Sequence, residues 1–142
     1  MALNMDYDDV GALRAGFEID DSAITFDEAK EGGSDQVGLA VRLVGGSNKV
    51  ITLAGDGEGI LGVLKLVEGD GGATVQVGGF TRAMKGDGTL AAGSMKKLVG
   101  SVRIAAKGYV REVDDTDSTE LEVARGFAVD VADADACQIY LG

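Results

Sequence analysis

From Gln36 onward, apolar and polar positions alternate in short runs that glycine keeps interrupting. Val37, Leu39, Val41 and Leu43 alternate with Gly38, Ala40 and Arg42, the period of two that puts successive side chains on opposite faces of a strand. Gly45-Gly46-Ser47-Asn48 ends that run. Val50-Ile51-Thr52-Leu53 predicts a second strand, closed by Gly55-Asp56-Gly57, and Ile60 to Val67 a third, mostly apolar on both faces. Ala73, Val75 and Val77 share one face of a fourth strand, and the Gly78-Gly79 pair predicts a bulge or a close backbone approach before Phe80. Leu98 to Ile104, Tyr109 to Val113, Gly126 to Val131 and Cys137 to Leu141 supply the remaining strands. Strands spaced roughly 8–12 residues apart with turn signals between them predict a mainly β, single-domain small barrel or sandwich over residues 36–142. Any helix in this body should be short; Ala132-Asp133-Ala134-Asp135-Ala136 is either one helical turn or a tight loop.

The first 35 residues read differently. They are acidic, their apolar residues are scattered, and they finish in the linker-like Glu31-Gly32-Gly33-Ser34-Asp35. Asp9 is placed to cap a short helix with Val10, Leu13 and Phe17 on one side, and Ala23-Ile24-Thr25-Phe26 predicts a short extended segment. Short isolated elements bury too little to offset their chain entropy, so residues 1–35 are expected to form an extended N-terminal arm that orders on binding.

The charge sharpens this division. The 142 residues carry 13 Lys and Arg against 24 Asp and Glu, a net charge of −11. A field of that sign repels phosphate, so neither nucleic acid nor an anionic membrane is an expected partner. Residues 1–35 hold ten acids and two bases, and residues 112–135 nine acids and one base. Residues 82–111 instead hold seven bases, Arg82, Lys85, Lys96, Lys97, Arg103, Lys107 and Arg111, and a single acid, Asp87. Either these basic loops balance the chain's own acidic surface, or basic and acidic patches meet across a subunit contact. No signal peptide is visible at Met1-Ala2-Leu3-Asn4-Met5-Asp6, and no apolar run is long enough to span a bilayer. The chain is expected to remain in a cytosol-like space.

Candidate chemistry is sparse. Histidine and tryptophan are absent, as is proline, and Cys137 is the one cysteine, expected to act as a small buried hydrophobe. Mechanisms that rely on a histidine base, and zinc sites with the usual Cys/His set, are therefore excluded. Gly57-Glu58-Gly59-Ile60-Leu61-Gly62 fits G-x-G-x-x-G, but the dinucleotide motif must open a helix. Here a strand follows, and Asp56 and Glu58 would repel phosphate, so no cofactor is expected. Asp114-Asp115-Thr116-Asp117-Ser118-Thr119-Glu120 lacks the fifth ligand and the glycine of a calcium loop. It reads as a solvated acidic loop, with a weak divalent-cation site at a subunit contact as the alternative; Asp130, Asp133 and Asp135 read the same way. Acid pairs are plentiful, but only seven aromatic residues exist and the core needs most of them, so a sugar-cleaving site is not expected.

The order of short motifs from Lys49 onward resembles the capsid decoration, or cement, proteins of tailed bacteriophages. The matching pieces are Leu53-Ala54-Gly55-Asp56-Gly57 with Gly62-Val63-Leu64, then Thr74-Val75-Gln76-Val77-Gly78, then Ala91-Ala92-Gly93. Ala124-Arg125-Gly126-Phe127-Ala128 and Gln138-Ile139-Tyr140-Leu141 complete the series, which covers about two-thirds of the chain. Glu112 to Glu122 is longer and more acidic than the family pattern, and the arm matches no motif. The resemblance implies a β-tulip-like, non-enzymatic protein of the virion, assembled in the host cytoplasm as a homotrimer. It would sit on the outer capsid surface at three-fold and quasi-three-fold positions and clamp the major capsid protein against internal pressure. An arm that grips the shell would add Ala23, Ile24, Thr25 and Phe26 to a capsid sheet edge. Arg82, Lys85, Lys96 and Lys97 would contribute to subunit or capsid contact. A second function class is a small β-rich carbohydrate- or cation-binding module of a phage tail or cell surface, motivated by the acidic loops and glycine turns.

Overall fold

The alternating runs become strands in the computed structural model, which describes residues 9–142, except that the first run is a turn over Val37 to Leu39 and a strand only from Ala40. Strands β1 (Leu13–Ile19), β2 (Ala40–Leu43), β3 (Val50–Leu53), β4 (Gly62–Val67) and β5 (Gly72–Gly78) close into a barrel in the order β1-β3-β2-β4-β5. All its pairings are antiparallel except β1 with β3, where Glu18 lies opposite Val50 and Ile19 opposite Ile51. Strands β6 (Phe80–Met84), β9 (Phe127–Asp130) and β10 (Ala136–Tyr140) form an antiparallel sheet with β10 in the middle. Strands β7 (Leu98–Arg103) and β8 (Ala106–Glu112) form a hairpin, and a single α-helix, α1 (Ser118–Val123), follows it. The chain is thus a mainly β, small single domain.

Two cores explain why Ile60 to Val67 is apolar on both faces. On β4, Leu64 points into the barrel with Ile24, Val41, Ile51, Val67, Ala73 and Val75. Its neighbour Val63 points outward, into a second core with Ala40, Ile60, Ala83, Leu98, Val110, Ala128, Cys137, Ile139 and Leu141. Strand β2 is two-faced in the same way, with Val41 inside the barrel and Ala40 in the second core. The barrel is therefore a wall shared by both halves of the molecule.

The Gly78-Gly79 pair makes the close approach that its sequence suggested. Gly79 has a φ of +81°, and a Cβ there would lie 2.4 Å from the carbonyl oxygen of Gly11. Only glycine combines that backbone conformation with that proximity. Phe80 completes the corner, donating its N–H to Val10 O and accepting from Asp9 N–H.

The arm expected over residues 1–35 is corrected from Asp9 onward; residues 1–8 lie outside the described residues. Leu13 to Ile19 is not part of a helix but the fifth stave of the barrel, bonded to β5 along its length and to β3 at its end. The i, i+3, i+7 reading of Val10, Leu13 and Phe17 overlooked a competing period, since Leu13, Ala15, Phe17 and Ile19 also alternate. A segment this short cannot hold itself as a strand, but two neighbouring strands supply donors and acceptors on both sides. Ala23 to Phe26 is likewise no free extended segment. The N–H groups of Ala23 and Ile24 donate to Asp20 O, and the Ile24 side chain is fully buried in the barrel.

The second correction is to the acidic segment read as a solvated loop, while the loop alternative holds at Ala132 to Ala136. Ala132 to Ala136 is a tight loop in which Asp133 Oδ1 accepts from the N–H groups of Asp135 and Ala136. The helix lies instead in the acidic segment, where Asp117 caps it by accepting from Thr119 N–H and Glu120 N–H. The signal was legible: Asp117, with Glu120 three places on, is the start pattern of a capped helix.

Candidate functional site

A concavity of about 700 Å³ lies between β8, the loop before β7 and the acidic segment, and includes Asp56, Lys96, Arg111, Glu112 and Asp114 among its walls. Arg111 on β8 is its hub. Its guanidinium meets Glu120 through two bonds of 2.8 Å, reaches Asp56 at 2.9 Å, and donates to Glu112 O at 2.9 Å. The Arg111 and Glu120 side chains are only 13% and 12% exposed, so this bidentate pair is better shielded than a surface ion pair. Hydrogen bonding to Arg111, followed by the backbone N–H of Asp114, holds Glu120 below its usual carboxylate range. Glu120 in turn raises Arg111 further above its already high value.

Glu112 performs a matching task on the other wall. It is buried, and its Oε1 accepts from Ala91 N–H and Ser94 Oγ, both at 2.8 Å, which pins the Ala91-Ala92-Gly93 turn to the end of β8. Both carboxylates are thus engaged by donors from neighbouring elements, so this concavity fastens β8 to the loops around it. Among the described residues no group of three or more Asp, Glu, His or Cys side chains is placed to hold a metal ion. The acidic segment spends its carboxylates internally: Asp114 accepts from Thr116, Asp117 caps the helix and Glu120 binds Arg111.

The four cations expected at a contact separate into two places. Arg82 and Lys85 belong to β6 and its end, and Lys85 Nζ donates to Val131 O at 3.0 Å beside the acidic Asp130–Asp135 loop. Lys96 and Lys97 lie in the loop before β7, where Lys96 pairs with Asp115 at 3.1 Å. A hydrogen bond to that carboxylate, reinforced by its charge, raises the Lys96 pKa. Together with the Arg103–Asp135 pair at 2.6 Å, these contacts show basic loops balancing acidic ones within one chain. Of the segment expected to grip a partner, Ala23 and Ile24 join the barrel core, Thr25 N–H donates to Gln36 Oε1, and the Phe26 ring covers Gly69. The G-x-G-x-x-G glycines have packing roles: a Cβ on Gly62 would strike Gln76 O, and one on Gly59 would strike Val123.

Two features escaped the sequence reading. Arg125 has no carboxylate partner among the described residues; it donates to the carbonyls of Leu61 at 2.7 Å, Val77 at 2.8 Å and Leu141 at 3.0 Å, stapling barrel to C-terminus. Burial lowers its pKa. The other is the β7–β8 turn, in which Ile104 and Ala105 have φ values of +49° and +67°. Two-residue hairpin turns of this hand are normally Asn-Gly or a close equivalent, and a β-branched residue with positive φ is strained. Ile104 is nevertheless 91% exposed. Asp87 braces the tip by accepting from Ser101 Oγ at its carbonyl and from Ile104 N–H at its carboxylate, and Asp135 holds Arg103 on the other flank. Sequence alone predicted Ile104 as the end of a strand and showed no sign of the strain. Compared with protein-family models, with curated proteins and with solved structures, this chain matches none.

Proposed function

We propose that the protein is a non-enzymatic capsid decoration (cement) protein. In this reading it binds the outside of an icosahedral head at three-fold and quasi-three-fold positions and stabilises the expanded shell. One observation carries the reading: most of the motifs that produce the resemblance lie on strands of one small β domain. Gly62-Val63-Leu64 begins β4 and Thr74-Val75-Gln76-Val77-Gly78 is most of β5. The last two motifs pair across β9 and β10, where Ile139 lies opposite Ala128 and Tyr140 opposite Phe127. A protein that clamps a lattice must transmit load without deforming, and a closed barrel backed by a second close-packed layer suits that task. Any ligand that prefers the assembled shell stabilises it by mass action.

The reading is tested by cosedimenting the purified chain with expanded heads that lack decoration, and by following the heat stability of those heads. Expected are saturable pelleting with the shell and a higher temperature of shell disruption. Protein that stays in the supernatant at micromolar concentration would overturn the proposal. Reversing the charges of Arg82, Lys85, Lys96 and Lys97 together should weaken pelleting and flatten its salt dependence if they face the shell.

A further inference from the structure

The Ile104 tip is an apolar side chain displayed on a braced, strained turn and flanked by basic residues. Arg103 and Lys107 stand on either side of Ile104, Ala105 and Ala106, in a chain that is otherwise strongly acidic. Ile104 fills no space within its own chain, and Asn-Gly would form the same turn with less strain. Backbone strain persists where the surroundings enforce it, and here two anchors, Asp87 and Asp135, do so. A pre-ordered apolar knob loses little entropy when it docks.

The same chain carries a hollow of complementary character. A concavity of about 420 Å³ has Ile19, Ile24 and Phe26 as its apolar lining and also includes Asp21 and Asp70 among its walls. Phe26 is 44% exposed there, a large aromatic surface with no cover of its own. The hollow belongs to the end of β1 and the β4–β5 turn, whereas the knob is anchored to residues of the second half. The two surfaces therefore lie on different parts of the molecule. We infer that the Ile104 tip of one copy of this chain docks in the Ile19–Phe26–Asp70 hollow of a second copy, with Lys107 facing Asp21 and Asp70 while Arg103 stays paired with Asp135 of its own chain. Apolar contact supplies the affinity, and opposite charges at the rim set partner and orientation. A contact that joins two different surfaces is heterologous: it leaves a knob and a hollow free at the two ends, so it propagates until it closes into a ring. This goes beyond the decoration reading, and its test needs no shell.

That test is sedimentation velocity on the full chain over a concentration series, at low and high salt. The chain should associate as concentration rises, and salt should weaken the association. Ile104→Asn suits the left-handed turn and removes the knob; Asp21→Lys with Asp70→Lys spoils the hollow. Each variant alone should associate at least roughly tenfold more weakly while keeping its circular dichroism and melting transition. Mixed in equal amounts, they retain one intact knob and one intact hollow between them and should form one-to-one dimers. A wild-type chain that stays monomeric throughout, an Ile104→Asn variant that associates as well as wild type, or a mixture that yields no dimer would each overturn the inference. If the free chain is monomeric and Ile104→Asn instead loses pelleting with heads, the tip belongs to the shell and the contact between copies is overturned. Failure of the decoration reading shows only in the pelleting experiment, so the two can be told apart.

Discussion

The barrel and the layer behind it solve the same problem in opposite ways. Inside the barrel the buried residues are Ile24, Val41, Ile51, Leu64, Val67 and Val75, with Ala73 the one small residue among them. The second core contains Ala40, Ala54, Ala83 and Ala128, with Cys137, and is built from smaller side chains. Burial raises the Cys137 thiol to about 12, which keeps it an inert filler. The barrel has no free edge, because every strand finds two neighbours. The β6-β10-β9 sheet and the β7–β8 hairpin do have edges, and polar side chains do there what ladder closure does in the barrel. Arg125, Glu112, Ser101 and the Arg111–Glu120 pair each fasten one element to another. The first half closes on its own ladder, and the second relies on these fastenings at its edges.

This contrast sets the size of what mutation should do. Leu64→Ala opens a void in the barrel and should cost about 2–5 kcal/mol, read from urea unfolding as a lower midpoint with unchanged cooperativity. Arg125→Met should cost less, about 1–3 kcal/mol for carbonyls left without a donor. Because Arg125 bridges the two halves, this substitution should also broaden the transition or split it in two. A single sharp transition in the Arg125→Met protein would mean that the shared faces of β2 and β4 are sufficient to couple the halves.

A smaller effect, of opposite sign, is expected at the hairpin tip. Changing Ile104→Asn with Ala105→Gly installs the side chains that a left-handed turn favours and should raise stability by about 1 kcal/mol or more. The same variant removes the knob, so greater stability with weaker self-association would show that the strain serves contact rather than folding. The smallest expected effect is electrostatic. Glu120 titrates lower in the folded chain than in the unfolded one, so its contribution is complete above the ordinary glutamate range near about 4.3. It should decline as pH falls below that range and vanish beneath the folded-state value. Glu120→Gln should therefore narrow its stability deficit relative to wild type in acid, as melting temperatures at pH 7 and pH 3 would reveal.

Most strand positions after residue 36 were legible because they rest on local alternation, although Phe80–Met84 was not read as a strand; nine of the ten strands among the described residues lie in that stretch. The capped helix was legible in principle from Asp117 and Glu120 but was masked by the acidity around them. The barrel stave at Leu13–Ile19 was not, since its strand state depends on hydrogen bonds to β5 and β3, far along the chain. Of the candidate contact residues, the basic cluster was visible from charge alone, whereas its pairing with Asp115 and Asp135 required the fold. The strained display of Ile104 and the three-carbonyl grip of Arg125 left no sequence mark.

By itself the sequence determined a mainly β chain with glycine-set corners, two-faced strands and a charge unsuited to polyanions. Those properties depend on neighbours within a few residues, where side-chain period and backbone sterics act directly. The tertiary structure decided that the acidic leading segment completes a barrel, that carboxylates become fastenings, and that an isoleucine is held out on a strained turn. Each of these depends on which distant groups meet, and that is settled only when closing the chain on itself repays the entropy of bringing them together.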